Sequence, residues 1–220
     1  MICALIFDFD GLILETEGPS YQSWKQVYRS FGLSLPFSTW SAIIGTTQGI
    51  FDPQQELQRQ VPGVVDWEAV EAKRQAAENA ILEAQSILPG VEQYILDAKR
   101  LGMRLGIASS SSWRWVTGHL TRLGLLDYFE SICTADDVKR VKPYPELYQT
   151  VLQRMGIRAD EAIALEDSPL GIQSAKSAGL ICVAVPNQLT RKLSLDQADY
   201  QVASLSELPL EQLLALVNAR

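Results

Sequence analysis

An unbroken apolar run, Cys3-Ala4-Leu5-Ile6-Phe7, ends abruptly in Asp8-Phe9-Asp10-Gly11. The run is short, uncharged and partly β-branched or aromatic, which predicts a strand with both faces covered in a parallel sheet. Residues two apart in a strand project to one side, so Asp8 and Asp10 are expected together at the carboxyl end. Gly11 permits a sharp exit and a close approach of a ligand to the backbone.

The next seventy residues read differently. Trp24, Val27, Tyr28 and Phe31 recur at three- and four-residue spacing, the mark of an amphipathic helix. Pro36 is placed to start a second helix carrying Trp40, Ile43 and Ile44, which Gly45 ends. A short helix is expected after Pro53 and a longer one over about 66–85, with no strand among them. From Pro89-Gly90 onward helices and strands alternate. The pattern predicts helices over 91–101, 112–123, 145–155, 169–178 and 209–219. Strands are predicted over 103–108, 131–134, 162–166 and 181–185, with a short one near 199–203. Such alternation implies a parallel sheet with helices on both faces. The first strand must join that sheet, so the helical segment is an insertion after it.

The chain has 220 residues, 47% of them hydrophobic and 20% charged, which is a globular composition with ample core. Nineteen basic against 26 acidic residues give a formal charge of −7 with no basic run, so nucleic acid is not an expected partner. An anionic ligand would need a locally built site. Cys3, Cys133 and Cys182 stand far apart in apolar runs, as reduced core thiols do. No Cys/His spacing suggests zinc, and His119, in a helical stretch, is expected to be a surface or packing residue. No basic leader precedes the first strand and no apolar run would span a bilayer, so a soluble cytoplasmic protein without membrane contact is expected. Nothing in the sequence marks a subunit interface, and a monomer is the expectation.

In a sheet of this kind ligands bind beyond the carboxyl ends of the strands. Asp8 and Asp10 follow the first. Ser109, Ser110, Ser111 and Ser112 follow the second and enter a helix, where hydroxyls and free N–H groups suit an anion, although capping by Ser112 would also explain a serine. Lys142 precedes Pro143, in a loop stiffened again by Pro145. Glu166-Asp167-Ser168-Pro169 follows a further strand; Ser168 suits an N-cap, and the acids complement a helix dipole. Each is ordinary alone. Together they place carboxylates from two strands, a Ser cluster and a Lys on one rim: an oxygen cage suited to Mg²⁺ beside an anion grip, the equipment of phosphate chemistry.

This set, Asp8-x-Asp10-Gly11, Ser109 after an apolar strand, Lys142-Pro143 and Glu166-Asp167-Ser168, resembles the four motifs of the haloacid dehalogenase-like superfamily. It is most similar to the branch holding β-phosphoglucomutase and phosphoglycolate phosphatase, over essentially the whole chain. The resemblance implies an α/β fold: a Rossmann-like catalytic core over 1–14 and 87–220, and a helical cap domain over 15–86. It implies that Asp8 is the nucleophile and becomes an aspartyl phosphate. Asp10 would protonate the leaving alcohol and then deprotonate water. Asp8, the Asp10 carbonyl and Asp167 would hold Mg²⁺, with Glu166 as a further ligand or a support. Ser109, the N–H of Ser110 and Lys142 would bind the phosphoryl oxygens, close to the Gly11 backbone.

The dehalogenases of that superfamily lack a second aspartate, so Asp10 argues against dehalogenation. The mutase pattern carries a His where this chain has Ser20, and an Arg in the loop where it reads Gly45-Thr46-Thr47-Gln48. A phosphatase acting on a small phosphorylated metabolite, such as a sugar phosphate, is therefore expected over a mutase, and a phospho-ligand sensor without turnover ranks last. Thr46 and Gln48 are expected at the substrate with Ser20 and Thr47, Trp24 at the substrate or in the cap core, and Lys73 and Arg74 on a solvated helix face.

Overall fold

The strand β1 (Ala4–Phe7) is wholly buried and lies at the centre of a parallel sheet. It pairs with β2 (Arg104–Ala108), Ala4 opposite Arg104, and with β4 (Ala162–Glu166), Ala4 opposite Ala162. With β3 (Ser131–Cys133), β5 (Ile181–Ala184) and β6 (Tyr200–Gln201) the order is β3-β2-β1-β4-β5-β6. The computed structural model describes residues 2–46 and 51–219.

The two sheet faces differ in side-chain size. Leu5, Phe7, Leu105, Ile107, Ile163, Leu165 and Val183 pack against α5 (Val91–Arg100), α6 (Trp113–Arg122) and α9 (Leu210–Asn218). Ala4, Ile6, Ala108, Ala162, Ala164, Cys182 and Ala184 face α7 (Glu146–Met155) and α8 (Pro169–Ser177). Small residues there let the helices approach closely: a Cβ on Gly106 would lie 2.7 Å from Val151 Cγ1. This α/β, Rossmann-like arrangement bears out the sequence reading, with strand and helix bounds shifted by one or two residues.

Between β1 and α5 run α1 (Glu17–Ser30), α2 (Phe37–Trp40), α3 (Pro53–Gln60) and α4 (Trp67–Glu83). No strand occurs in this segment among the described residues. Tyr21, Trp24, Tyr28, Leu35, Trp40, Ile44 and Leu57 form its own apolar cluster, so Trp24 belongs to the packing of these helices. The second helix is shorter than expected: α2 stops at Trp40, and Ile43 and Ile44 follow in turns. Asp52 caps α3 by accepting from the N–H of Gln54 and Gln55, and Asp66 caps α4 through Ala69.

Candidate active site

The strand order reverses at β1, whose neighbours on either side are β2 and β4. A crevice opens at such a switch point. The segments leaving β1, β2 and β4 therefore meet there. β1 ends at Phe7, earlier than the sequence suggested, though the Asp8 N–H still reaches Leu165 O at 3.0 Å. The chain then turns through Phe9–Leu14, with Ile13 N–H on Phe9 O at 2.9 Å. The two aspartates are thus not on one strand, and their carboxylates have different partners.

Asp8 is buried and accepts from Lys142 Nζ at 2.6 Å. The same ammonium lies 2.6 Å from Glu166 Oε1, which also accepts from the Tyr148 hydroxyl at 2.6 Å. Lys142 is 1% exposed, so this is a fully desolvated ion cluster. Pro143 and Pro145 shape the loop that delivers it, and Tyr148 comes from the first turn of α7. Glu166, with Lys142 and Tyr148 on one oxygen and the Asp167 N–H at 3.2 Å from the other, steadies the lysine.

Asp167 accepts from Asn187 Nδ2 at 2.7 Å. Gly11 closes this side: its φ is +79°, and a Cβ there would fall 2.4 Å from Asp167 Oδ2. One carboxylate oxygen from each of Asp8, Glu166 and Asp167 lies within 4.8 Å of the others, all buried. Burial foremost, then the neighbouring carboxylates, pushes both Asp8 and Asp167 well above the usual carboxylate range. For Lys142 burial is opposed by the attraction of Asp8 and Glu166, which win and hold its ammonium charged. Three crowded carboxylates facing one lysine leave negative charge unmet. A hard divalent cation with oxygen ligands fits that donor set.

Asp10 turns away from this cluster. Its Oδ1 accepts from Thr16 Oγ1 and from Trp115 Nε1, both at 2.9 Å, and its Oδ2 from Ser111 Oγ at 2.6 Å. Ser109, fully buried, lies 3.4 Å from Asp10 Oδ2 and accepts from the Ser111 N–H at 3.0 Å. Ser110 donates to Gly45 O at 3.1 Å and so ties the helical segment to the sheet. Ser112 caps α6, which seats Trp115 one turn inward. His119 packs against Phe9 and Trp115, as expected of a packing residue, and burial lowers its pKa.

Asp8 and Asp10 form one wall of a cavity of about 490 Å³. Ser110, Ser111 and Trp115 line it from the sheet side, and Thr16, Glu17, Ser20, Gly45, Thr46, Arg74, Gln75, Glu78 and Asn79 from the helical side. Ser20 and Thr46 line this cavity; Thr47 and Gln48 lie outside the described residues. Arg74 corrects the sequence reading. Its side chain is 9% exposed, stacks over the Trp24 ring at 4.7 Å and faces the cavity, because α4 turns that stripe toward α1. Lys73, one position away, is exposed as expected. Trp115, Tyr148 and Asn187 were not anticipated, and no motif marks them, since each reaches the site from a helix turn or loop outside the strand-end motifs. Ser111 belongs to the expected serine cluster, but its bond to Asp10, like that of Thr16, was not anticipated.

Glu17, at the start of α1, accepts from the Gly45 N–H and is pushed up to about 8, by burial first and then by Asp10, Glu15 and Asp8. A folded-state pKa above the unfolded 4.5 means a contribution to stability that is full below pH 4.5 and lost as pH rises through about 8. Urea unfolding of Glu17→Gln against wild type is expected to show the variant gaining relative stability between those values and no relative change below them.

The model of the haloacid dehalogenase-like hydrolases matches residues 5–185. The phosphatase-named YhcW of Bacillus subtilis is 43% identical over 220 residues, all of both chains. The fructose-1-phosphate phosphatase YqaB of Escherichia coli is 32% identical over 193 residues, 82% of this chain and 95% of its own. The crystal structure of β-phosphoglucomutase from Clostridium difficile superposes with a TM-score of 0.79 at 25% identity, covering all of this chain and 98% of that one. The chain belongs to the haloacid dehalogenase-like hydrolase family. Within it, the protein is a hydrolase of the phosphatase kind. No helix among the described residues is long and apolar enough to cross a membrane.

Proposed function

We propose that the protein is a Mg²⁺-dependent phosphatase that hydrolyses a small phosphomonoester, such as a sugar phosphate, through an aspartyl phosphate on Asp8. The observation that carries this reading is the buried cluster of Asp8, Glu166, Asp167 and Lys142 at the foot of a polar cavity. Asp8 and Asp167 would hold the metal with the Asp10 carbonyl, and Glu166 beside them. Mg²⁺ bound there offsets the charge of the phosphoryl oxygens, so that an anionic nucleophile can approach an anionic ester.

An Asp8 oxygen attacks phosphorus as the ester P–O bond breaks, and Asp10 gives the leaving alcohol its proton. Asp10 then takes a proton from water as the water oxygen attacks phosphorus and the Asp8–phosphorus bond breaks. Thr16, Ser111 and Trp115 fix the orientation of Asp10 for both steps. Ser109 and Lys142 stabilise the phosphoryl charge as it develops. We infer that residues 15–86 act as a cap over a core of 1–14 and 87–220, excluding water from the cavity between them. Fructose 1-phosphate, for which the YqaB relative is named, is a sugar monophosphate of the class proposed here.

Hydrolysis is favoured over phosphomutase activity because Ser20 lines the cavity where the mutase pattern has a His, and a serine hydroxyl, unlike an imidazole, does not titrate near neutral pH. Phosphorus NMR of a sugar-phosphate panel with Mg²⁺ distinguishes the two. Inorganic phosphate is the expected product; an isomerised sugar phosphate without net release would overturn the assignment.

A further inference from the structure

Arg74 is the only cation among the described residues that line the cavity. Its charge is already met. Nε and Nη2 donate to the two oxygens of Glu71 at 2.8 and 2.7 Å, and Nη1 donates to Glu78 and, at 3.0 Å, to Ser23 Oγ. Four of the guanidinium's five N–H groups are thereby committed. Trp24 covers its face. Two carboxylates for one guanidinium leave this wall with an excess of negative charge, and Asp10 stands on the opposite wall. The rest of the helical side is polar, with Thr16, Ser20, Thr46, Gln75 and Asn79, and carries one further carboxyl group, Glu17, but no second cation among the described residues.

We propose that the cavity selects phosphomonoesters whose remainder is a neutral polyhydroxylated group, and rejects those bearing a second phosphate or a carboxylate, because Arg74 is held by Glu71 and Glu78 and no other cation among the described residues lines the cavity. Hydroxyls satisfy the carboxylate, hydroxyl and amide groups of the lining. A second anion would lose its water beside Glu78 and Asp10 without gaining a counter-charge, which is costly in a partly closed site. Arg74 acts as a specificity-determining residue by being occupied.

This inference rests on the phosphatase reading. Its test is phosphate release with Mg²⁺ from two matched pairs: glycerol 1-phosphate against 3-phosphoglycerate, and fructose 1-phosphate against fructose 1,6-bisphosphate. An aryl phosphate serves as the control. The member of each pair with the neutral remainder is expected to have the higher kcat/KM, by about 10-fold or more. The double variant Glu71→Gln/Glu78→Gln, which frees the Arg74 charge, is expected to shrink that ratio by about 10-fold. Equal or better turnover of the doubly anionic members by wild type overturns the inference while leaving the phosphatase reading intact. A wild-type preference that persists unchanged in a folded double variant overturns the assignment to Arg74. No release from any ester, the aryl phosphate included, overturns the phosphatase reading and this inference with it.

Discussion

Asp8→Asn is expected to lower phosphate release by about 10⁴-fold or more, the scale seen when a covalent nucleophile is removed. The substitution keeps the shape of the side chain and most of its hydrogen bonding. It removes one negative charge from a cluster in which burial and Glu166 already push Asp8 upward. The variant should therefore fold at least as stably as wild type in the absence of metal. Kinetics on an aryl phosphate, run beside thermal unfolding, separates loss of chemistry from loss of structure. Activity within about 10-fold of wild type would mean that Asp8 is not the nucleophile.

Lys142→Met has the second large effect, and it falls on both activity and stability. Among the described residues the ammonium is the sole cation touching Asp8 and Glu166, at 2.6 Å from each. Removing one partner of a buried ion cluster costs about 3–5 kcal/mol. In a chain of this length that corresponds to a fall in Tm of about 10 °C. Without the lysine, Asp8 and Asp167, which burial already raises, bind protons still more tightly in the folded state than in the unfolded one. Stability is then best at low pH and lost as pH rises, so the deficit against wild type should be larger at pH 8 than at pH 5. Turnover should fall with it, because the phosphoryl oxygens lose a charged donor. A variant as stable as wild type at pH 8 would contradict this view of the cluster.

The sheet was legible because its signal is local. Leu5 to Phe7 and Ala162 to Leu165 are charge-free runs that end in acids, and no helix period competes with them. The strand ends were legible for the same reason, since an abrupt change from apolar to acidic or seryl residues marks the place where a buried element reaches solvent. Two-residue alternation put Asp8 and Asp10 together, and both line the cavity, but not as neighbours on one strand. The strand stops at Phe7, and the turn through Phe9–Leu14 sends the second carboxylate to Ser111 and Trp115. Partners recruited across the fold left no trace in the sequence. Tyr148 and Asn187 meet Glu166 and Asp167 only after α7 and the loop beyond β5 have packed. Arg74 shows the limit clearly. A polar stripe of Arg74 and Glu78 on a mostly exposed helix has the same residue types whether it faces water or a cavity, and only the packing of α4 on α1 decides.

The most direct test of the account is phosphate release from an aryl phosphate by wild-type protein, measured with Mg²⁺, after chelation, and after Mg²⁺ is restored. Release that vanishes on chelation and returns with Mg²⁺ is the expected result, since Asp8, Glu166 and Asp167 leave negative charge that Lys142 alone does not balance. Release undiminished by chelation would contradict the metal-dependent mechanism built on that cluster.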